Sequence, residues 1–321
     1  MRAVVITEKG PALREIAEPQ AKAGQVLVKV HANALNRADL AMAAGHLHGT
    51  RGGVGTVMGL EWAGEIVELG QGVTGLLPGD WVMGSGGFAD YLAVPAAQVL
   101  RIPDANLSFE EASCFPVALR TMHNAIVTAG AFQPGESVQL QGASSGVGIL
   151  GMQIAREMGA AKVIGSSTNA ARRARLTAFG ADLAIDTSDP DWVQAVLDFT
   201  GGRGVDLIVD QVSGGLVTPN MRAARILGRI VNVGRLGGQK TEFDADLHAL
   251  RRITYVGVTF RTRTPEEVAE ITRALLADLA PALDAGRFSM PIDSVFSLED
   301  FAQALAKMKA NEHFGKIVLR H

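Results

Sequence analysis

Apolar residues along the chain keep two different rhythms, and the change comes after Pro116. Before it, short β-branched or aliphatic runs such as "QVLVKVHANAL", "GEIVELG", "DWVMG" and "DYLAVP" are separated by glycine and proline. That spacing predicts a compact, mostly antiparallel β domain with one short helix over residues 37–44. From Ser137 onward, apolar strands alternate with stretches of helical length: "SVQLQG", "KVIGSS", "LAID", "VDLIVD", "RIVNVG" and "ITYVGV". Strands buried on both faces and joined by helices imply right-handed crossovers and a parallel sheet covered on both sides. Six such runs suit a doubly wound nucleotide-binding fold, so the class is α/β.

Beyond Val258 the pattern becomes helical again. In "TPEEVAEITRALLADLAPALDAG", Thr264 is placed to cap a long helix with Pro265 at its first position, and "SLEDFAQALAKMKAN" opens on another capping serine. The closing "GKIVLRH" reads as a strand with no sheet of its own nearby, so the last segment is expected to return and complete the first domain. The domains are then residues 1–116 together with 259–321, and residues 117–258. The "ITYVGV" strand is expected at the sheet edge, where pairing with a twofold mate would bury it.

Composition narrows the partners. A chain of 321 residues, 47% of them apolar, buries a large core and has room for about two domains. Its net charge of -3 offers polyanions no general attraction, which argues against nucleic acid and anionic membrane surfaces and leaves small-molecule chemistry. The single cysteine, Cys114, rules out an internal disulfide and any multi-cysteine zinc lobe, and suits a reducing compartment. "MRAVVITEKG" is too short in its apolar run for a secretory signal or a membrane span, and we read it as a strand in a cytoplasmic protein.

Candidate chemistry gathers at "QLQGASSGVGILGMQIAREMGA", which begins at Gln139. A strand, a turn of small residues and a helix in that order can present helix-start N–H groups to a pyrophosphate. The glycine fingerprint of dinucleotide turns would fall on Ala143, Ser145 and Gly148, so two of its three glycines are replaced. Ala143 and Ser145 are small enough to keep the approach open, while Gly146 and Gly148 remain for turn geometry and close helix-to-strand packing; Ser144 and Val147 complete the turn. The next strand ends in Ser166, Ser167, Thr168 and Asn169, with no carboxylate where an NAD site would hold the ribose 2′-OH. Hydroxyls there, with Arg172 or Arg173 following, favour the 2′-phosphate of NADPH, unless those arginines are simply a solvated helix face.

With these residues in view, the chain resembles the zinc-independent quinone oxidoreductase (zeta-crystallin-like) branch of the medium-chain dehydrogenase/reductase family. The likeness runs over essentially the whole chain, through "ANALNRADL", "GLEWAGEIVELGQGVTG", "GGFADYLAVP", the "SGVG" turn, "GGRGVDLIVDQV" and "HFGKIVL". It implies a GroES-like catalytic domain, a Rossmann domain, NADPH in a cleft between them, a homodimer, and hydride transfer to a quinone-like or α,β-unsaturated carbonyl acceptor. Metal-dependent relatives have a histidine between the glycine and glutamate seen here as Gly59-Leu60-Glu61, and Leu60 cannot bind zinc; His46 and His48 are the only local cluster of metal-ligand type. Loss of a Lewis acid hampers alcohol oxidation but not reduction of an acceptor that already takes hydride.

By position, the resemblance assigns Asn36 to the nicotinamide and substrate side, with capping of the helix at Arg37 as its structural alternative. It sets Thr121 beside the nicotinamide, the alternative being a buried helix hydroxyl, and expects the backbone at Gly234 to approach the same ring. Asp39 reads as a first-turn helix acid. Related enoyl-thioester reductases carry a tyrosine at the place of Leu47, a phenol suited to protonate the α-carbon; Leu47 has no proton to give, and His46 or His48 would have to substitute. Reduction of an enoyl thioester is therefore the rival reading, and a cofactor-binding structural or regulatory protein without turnover is the alternative from another class.

Overall fold

The computed structural model describes residues 1–49, 51–103 and 107–321, which form two compact units, Met1–Val117 with Phe260–His321 and Ala118–Thr259. Each unit is built on its own sheet.

The first unit opens with the hairpin β1 (Arg2–Thr7) and β2 (Gly10–Glu15), followed by β3 (Gln25–Ala34) and the short helix α1 (Arg37–Ala43). Then come β4 (Trp62–Leu69), β5 (Trp81–Gly84), β6 (Tyr91–Pro95), β7 (Leu100–Arg101) and α2 (Phe109–Ser113). Helix α3 (Pro116–His123) carries the chain onward and widens at its end into a π turn over Asn124–Ala129. In β3, alternate residues Val26, Val28 and Val30 point into a core with Trp62, Ile66, Val82 and Val94, the period-two burial that turns an apolar run into a sheet face.

The second unit alternates strand and helix: β8 (Ser137–Gln141), α4 (Gly146–Glu157), β9 (Lys162–Ser166), α5 (Ala170–Arg173), β10 (Leu183–Ile185) and α6 (Trp192–Phe199). It continues with β11 (Val205–Asp210), α7 (Val217–Ala223), β12 (Ala224–Asn232), α8 (Ala245–Arg251) and β13 (Thr254–Gly257). All six strands are parallel and lie in the order β10-β9-β8-β11-β12-β13, the doubly wound arrangement in which the chain reverses direction beside β8. Every residue of β8 and β11 is buried, as central strands of such a sheet require, and β13 is the edge.

The first unit is completed by α9 (Pro265–Asp284), β14 (Ile292–Ser297), α10 (Phe301–Ala310) and β15 (Lys316–Arg320). Thr264 caps α9 by accepting from the Glu267 N–H, with Pro265 just inside, as the sequence pattern requires. The Ser297 signal resolves differently: its hydroxyl donates to the Asp300 carboxylate at 2.8 Å, a 3-10 turn covers Leu298–Asp300, and α10 starts only at Phe301. Strand β15 enters a sheet ordered β14-β15-β3-β4-β5-β7, antiparallel to β3, with β6 alongside the start of β3. The fold is thus α/β, a GroES-like mostly-β unit and a Rossmann-type parallel sheet.

Candidate functional site

Above the carboxyl end of β8, the turn into α4 is built from side chains hydrogen-bonded to backbone. Gly142, at φ 74°, takes the left-handed position that frees the chain from the strand, so this role falls to Gly142 rather than to Gly146. Ser145 is the N-cap of α4, in extended conformation (φ -75°, ψ 155°); its Oγ accepts from the Gly148 N–H at 3.0 Å. Gly148 has no room for a side chain: a Cβ there would lie 2.7 Å from both Ala143 Cα and the Gly142 carbonyl oxygen. The missing fingerprint glycines are now intelligible. Ala143 is buried against the sheet, where a Cβ on Gly165 would approach its methyl to 3.1 Å, and Ser145 adopts ordinary capping geometry, so neither position demands glycine.

Because Ser145 satisfies Gly148, the N–H groups of Gly146 and Val147 are left as the amides that a helix start offers to an anion. The serine hydroxyl is in turn shared with the Gly142 carbonyl at 2.9 Å and the Gln211 amide oxygen at 3.1 Å, while Gln211 Nε2 donates to the Gln141 carbonyl at 3.2 Å. Gln211 follows β11 and pins the turn to the neighbouring strand, a role with no signal in the glycine pattern. Beneath it, Gln141 donates to Asn220 at 2.6 Å and Asn220 to Asp210 at 3.0 Å; burial raises the Asp210 carboxyl above its ordinary range even though the Ser213 and Val212 N–H groups also bind it.

The end of β9 meets this turn through hydroxyls. Ser166 Oγ accepts from the Gly142 N–H at 3.0 Å, its carbonyl accepts from Ala143, and Ser167 Oγ lies 3.0 Å from Ser144 Oγ. Ser166 and Ser167 are buried, whereas Thr168 is exposed. Arg172 is half-buried on α5, which Asn169 caps by accepting from the Arg172 N–H. Arg173 instead donates to the Ser167 carbonyl and to Asp186, each at 2.8 Å. The structure therefore brings Ala143, Ser144, Ser145, Gly146, Val147, Gly148, Ser166 and Ser167 together, with Thr168 and Arg172 at the margin.

Gly234 also belongs to this unit, and what crowds it is protein. A Cβ on Gly234 would lie 2.4 Å from the Gln211 carbonyl oxygen, so the backbone at this glycine packs closely on the residue that follows β11. Thr121, also in this unit, stands half-buried in α3 between buried Arg120 and Met122. This arrangement fits a dinucleotide: an open helix start with two offered amides, a floor of neutral hydroxyls, and no carboxylate in the turn to repel phosphate.

In the first unit, Asn36 sits at the N-cap position of α1 with its side chain spent on long-range partners. Its Nδ2 donates to Glu61 at 2.8 Å and its Oδ1 accepts from Lys316 Nζ at 2.8 Å. Lys316 also binds Glu61 directly at 2.5 Å, and the second oxygen of Glu61 accepts from the Val117 N–H at 2.8 Å. All three side chains are buried, so the amide of Asn36 is fixed by an ion pair that bridges β15 and the approach to β4. Asp39 closes the start of α1 by accepting from the Asn36 N–H at 2.6 Å; burial pushes its carboxyl up to about 7, and its Oδ1 has no hydrogen-bond partner among the described residues. Leu60 lies in the apolar core beside Met58 and Phe88. His46 and Leu47 are exposed, and His48 is half-buried with its imidazole pKa lowered, first by burial and then by Arg261 and Arg51. Among the described residues, no three His, Cys, Asp or Glu side chains converge as a metal site.

The fold and this turn define a dinucleotide-binding α/β protein with an attached GroES-like unit. Comparison with known proteins agrees: the alcohol dehydrogenase GroES-like domain matches residues 22–104 and the zinc-binding dehydrogenase domain residues 146–277. Quinone oxidoreductase-like protein 2 of Bos taurus is 27% identical over 310 residues, 96% of this chain and 88% of that protein. A phenolphthiocerol/phthiocerol polyketide synthase of Mycobacterium tuberculosis is 29% identical over 311 residues, 96% of this chain but only 14% of that much longer protein. The crystal structure of an alcohol dehydrogenase superfamily protein from Novosphingobium aromaticivorans superposes with a TM-score of 0.90 at 28% identity, covering 100% of this chain and 99% of that one. The chain belongs to the medium-chain dehydrogenase/reductase family of oxidoreductases.

Proposed function

We propose that this protein is an NADPH-dependent reductase that passes hydride to a quinone-like or α,β-unsaturated carbonyl acceptor without zinc. The observation that carries the reading is the turn itself: two helix-start amides at Gly146 and Val147 beside a β9 end made of hydroxyls, with Arg172 on the helix that follows. Bound there, the nicotinamide nucleotide supplies the hydride; the protein supplies position and a water-poor surrounding. Asn36, fixed by Glu61 and Lys316, and Thr121 are assigned to the reacting end, and Gly234 to the backbone near it. Leu60, apolar and within the core, supports the reading without a metal. The bovine quinone oxidoreductase-like relative, matched over most of both chains, supports the acceptor class.

The match to the polyketide synthase gives weight to a second reading, reduction of an enoyl thioester. That reaction needs a proton donor at the α-carbon, and exposed Leu47 provides none, whereas a hydroquinone anion takes its proton from water. NADPH turnover measured in parallel with a quinone series and an enoyl-CoA series separates the two. For the cofactor, Arg172→Glu is expected to weaken NADPH binding by about tenfold or more while barely touching NADH; equal losses would remove Arg172 from the 2′-phosphate. The protein is further assigned to the cytoplasm, to a homodimer paired along β13, and to small-molecule substrates rather than nucleic acid or membranes. Among the described residues, no helix is long and apolar enough to cross a membrane. A dimer should sediment at twice the chain mass.

A further inference from the structure

Next to the hydroxyls of β9 stands a carboxylate that no glycine motif announces. Asp186 directly follows β10, whose Ile185 pairs with Ser166 of β9, so it lies one strand over from the place assigned to the 2′-phosphate. Dinucleotide folds that favour NADH carry their acid at the end of the strand after the phosphate turn, the place that Ser166 and Ser167 occupy here; Asp186 stands one strand further on, and its charge would still act against a phosphate added to the ribose at the β9 end. Here the acid is held from both sides. Its Oδ1 accepts from the Ser188 hydroxyl at 2.6 Å and from the Ser188 N–H at 2.9 Å. Its Oδ2 accepts from Arg173 Nη1 at 2.8 Å, and that same nitrogen donates to the Ser167 carbonyl at 2.8 Å. One guanidinium nitrogen thus ties the acid to the backbone of the phosphate-facing strand end. The two side chains are partly open to solvent, at 24% and 25% exposure, so their charges are felt by a ligand at the same edge.

The geometry points to Arg173 and Asp186 as a specificity-determining pair, in which Arg173 cancels the Asp186 charge and holds it aside so that the β9 end accepts a phosphorylated ribose. Arg173 is then a positioning residue and not itself the phosphate ligand. This rests on the NADPH reading above. The two adjacent arginines on α5 then have different tasks: Arg173 neutralises an acid built into the fold, and Arg172 keeps the role assigned to it above. Ser188, first, and Arg173 keep the Asp186 carboxyl below its ordinary range, so the acid is charged at neutral pH and its cancellation matters there.

The test measures dissociation constants of NADPH and NADH, by fluorescence of the reduced nicotinamide, for the intact protein and for Arg173→Ala, Asp186→Asn and the double variant. Baring the acid in Arg173→Ala should weaken NADPH by about tenfold at low salt, with less loss at high salt, and leave NADH within about threefold. Retained NADH binding shows that the variant is folded. Asp186→Asn should keep or tighten NADPH binding, and adding it to Arg173→Ala should bring NADPH back to within about threefold of the intact protein. A double variant as weak as Arg173→Ala would mean that Arg173 grips the phosphate directly, which overturns the inference while sparing the NADPH reading. Equal losses of both cofactors in Arg173→Ala would overturn it as well. An intact protein that binds NADH as tightly as NADPH would bring down the NADPH reading and the inference together.

Discussion

The surroundings of Asn36 and those of the α4 turn hold their side chains in different ways. In the first, Asn36 is locked by a charged pair, Glu61 and Lys316, drawn from segments 255 residues apart. In the second, the α4 turn is held by neutral groups: Ser145, Ser166, Ser144, Ser167 and Gln211. A charged pair without water requires both partners at once, so it fixes a side chain firmly and fails completely when one is removed. A neutral network tolerates loss of single bonds and leaves the electrostatic field open for a ligand that brings its own charge. A surface meant for a polyanionic cofactor gains from the second design, and a side chain that must not move gains from the first.

Removing half of the ion pair strains this contrast most. Lys316→Met should cost about 3–5 kcal/mol, because it strands a fully buried carboxylate, read as a drop in the urea midpoint; a cost below about 1 kcal/mol would mean that Glu61 reaches water or a proton. Asp39 gives the next largest effect. Its carboxyl is pushed up to about 7 by burial, whereas an unfolded aspartate ionises near 4. Between those values the folded chain retains a proton that the unfolded chain has released. The stability from this group is therefore complete below pH ~4 and drains away as pH rises through ~7, about 4 kcal/mol at most. Asp39→Asn, whose amide oxygen can still accept from the Asn36 N–H, should flatten the stability profile over that range, and an unaltered slope would assign the pH dependence elsewhere.

In the second unit the expected losses are smaller and local. Gly148→Ala forces a methyl against the backbone of Ala143 and Gly142 and should cost about 2 kcal/mol, with weaker binding of NADPH and NADH alike as the helix start shifts. Ser145→Asp sharpens the comparison from the other side. Aspartate caps as well as serine, so stability should stay within about 0.5 kcal/mol. The new charge at the phosphate turn should nonetheless weaken both cofactors by about tenfold. Unchanged affinity would place the pyrophosphate elsewhere.

These same regions show what a sequence discloses. The six strands, the Thr264 cap and the Ser145 turn announce themselves through local spacing, because period, caps and tight turns are short-range physics. Gly148 was legible for the same reason. The replaced glycines needed the dihedrals: only Gly142 carries the left-handed bend, so Ala143 and Ser145 are free to be themselves. The pairing of Glu61 with Lys316 left no trace, since nothing near either residue tells of the other. Gln211 and Asp186 were hidden differently, each lying at the end of a neighbouring strand where only sheet order brings it to the turn. Gly234 was read from the sequence as a place of close backbone approach, and the structure adds a neighbour that the sequence did not disclose, the Gln211 carbonyl.

The interrupted layout of the first unit has a consequence for how the molecule is made. During synthesis, residues 118–259 leave the ribosome as one unbroken stretch and are able to fold while β14 and β15 are still untranslated. With β4 on one side of β3 and β6 beside Gln25–Lys29, the Ala32–Ala34 end of β3 waits for β15, and only then does Lys316 reach Glu61. The half-made chain thus leaves a short unpaired strand end for as long as it takes to translate the intervening segment, which is when chaperone capture or misassembly would be decided.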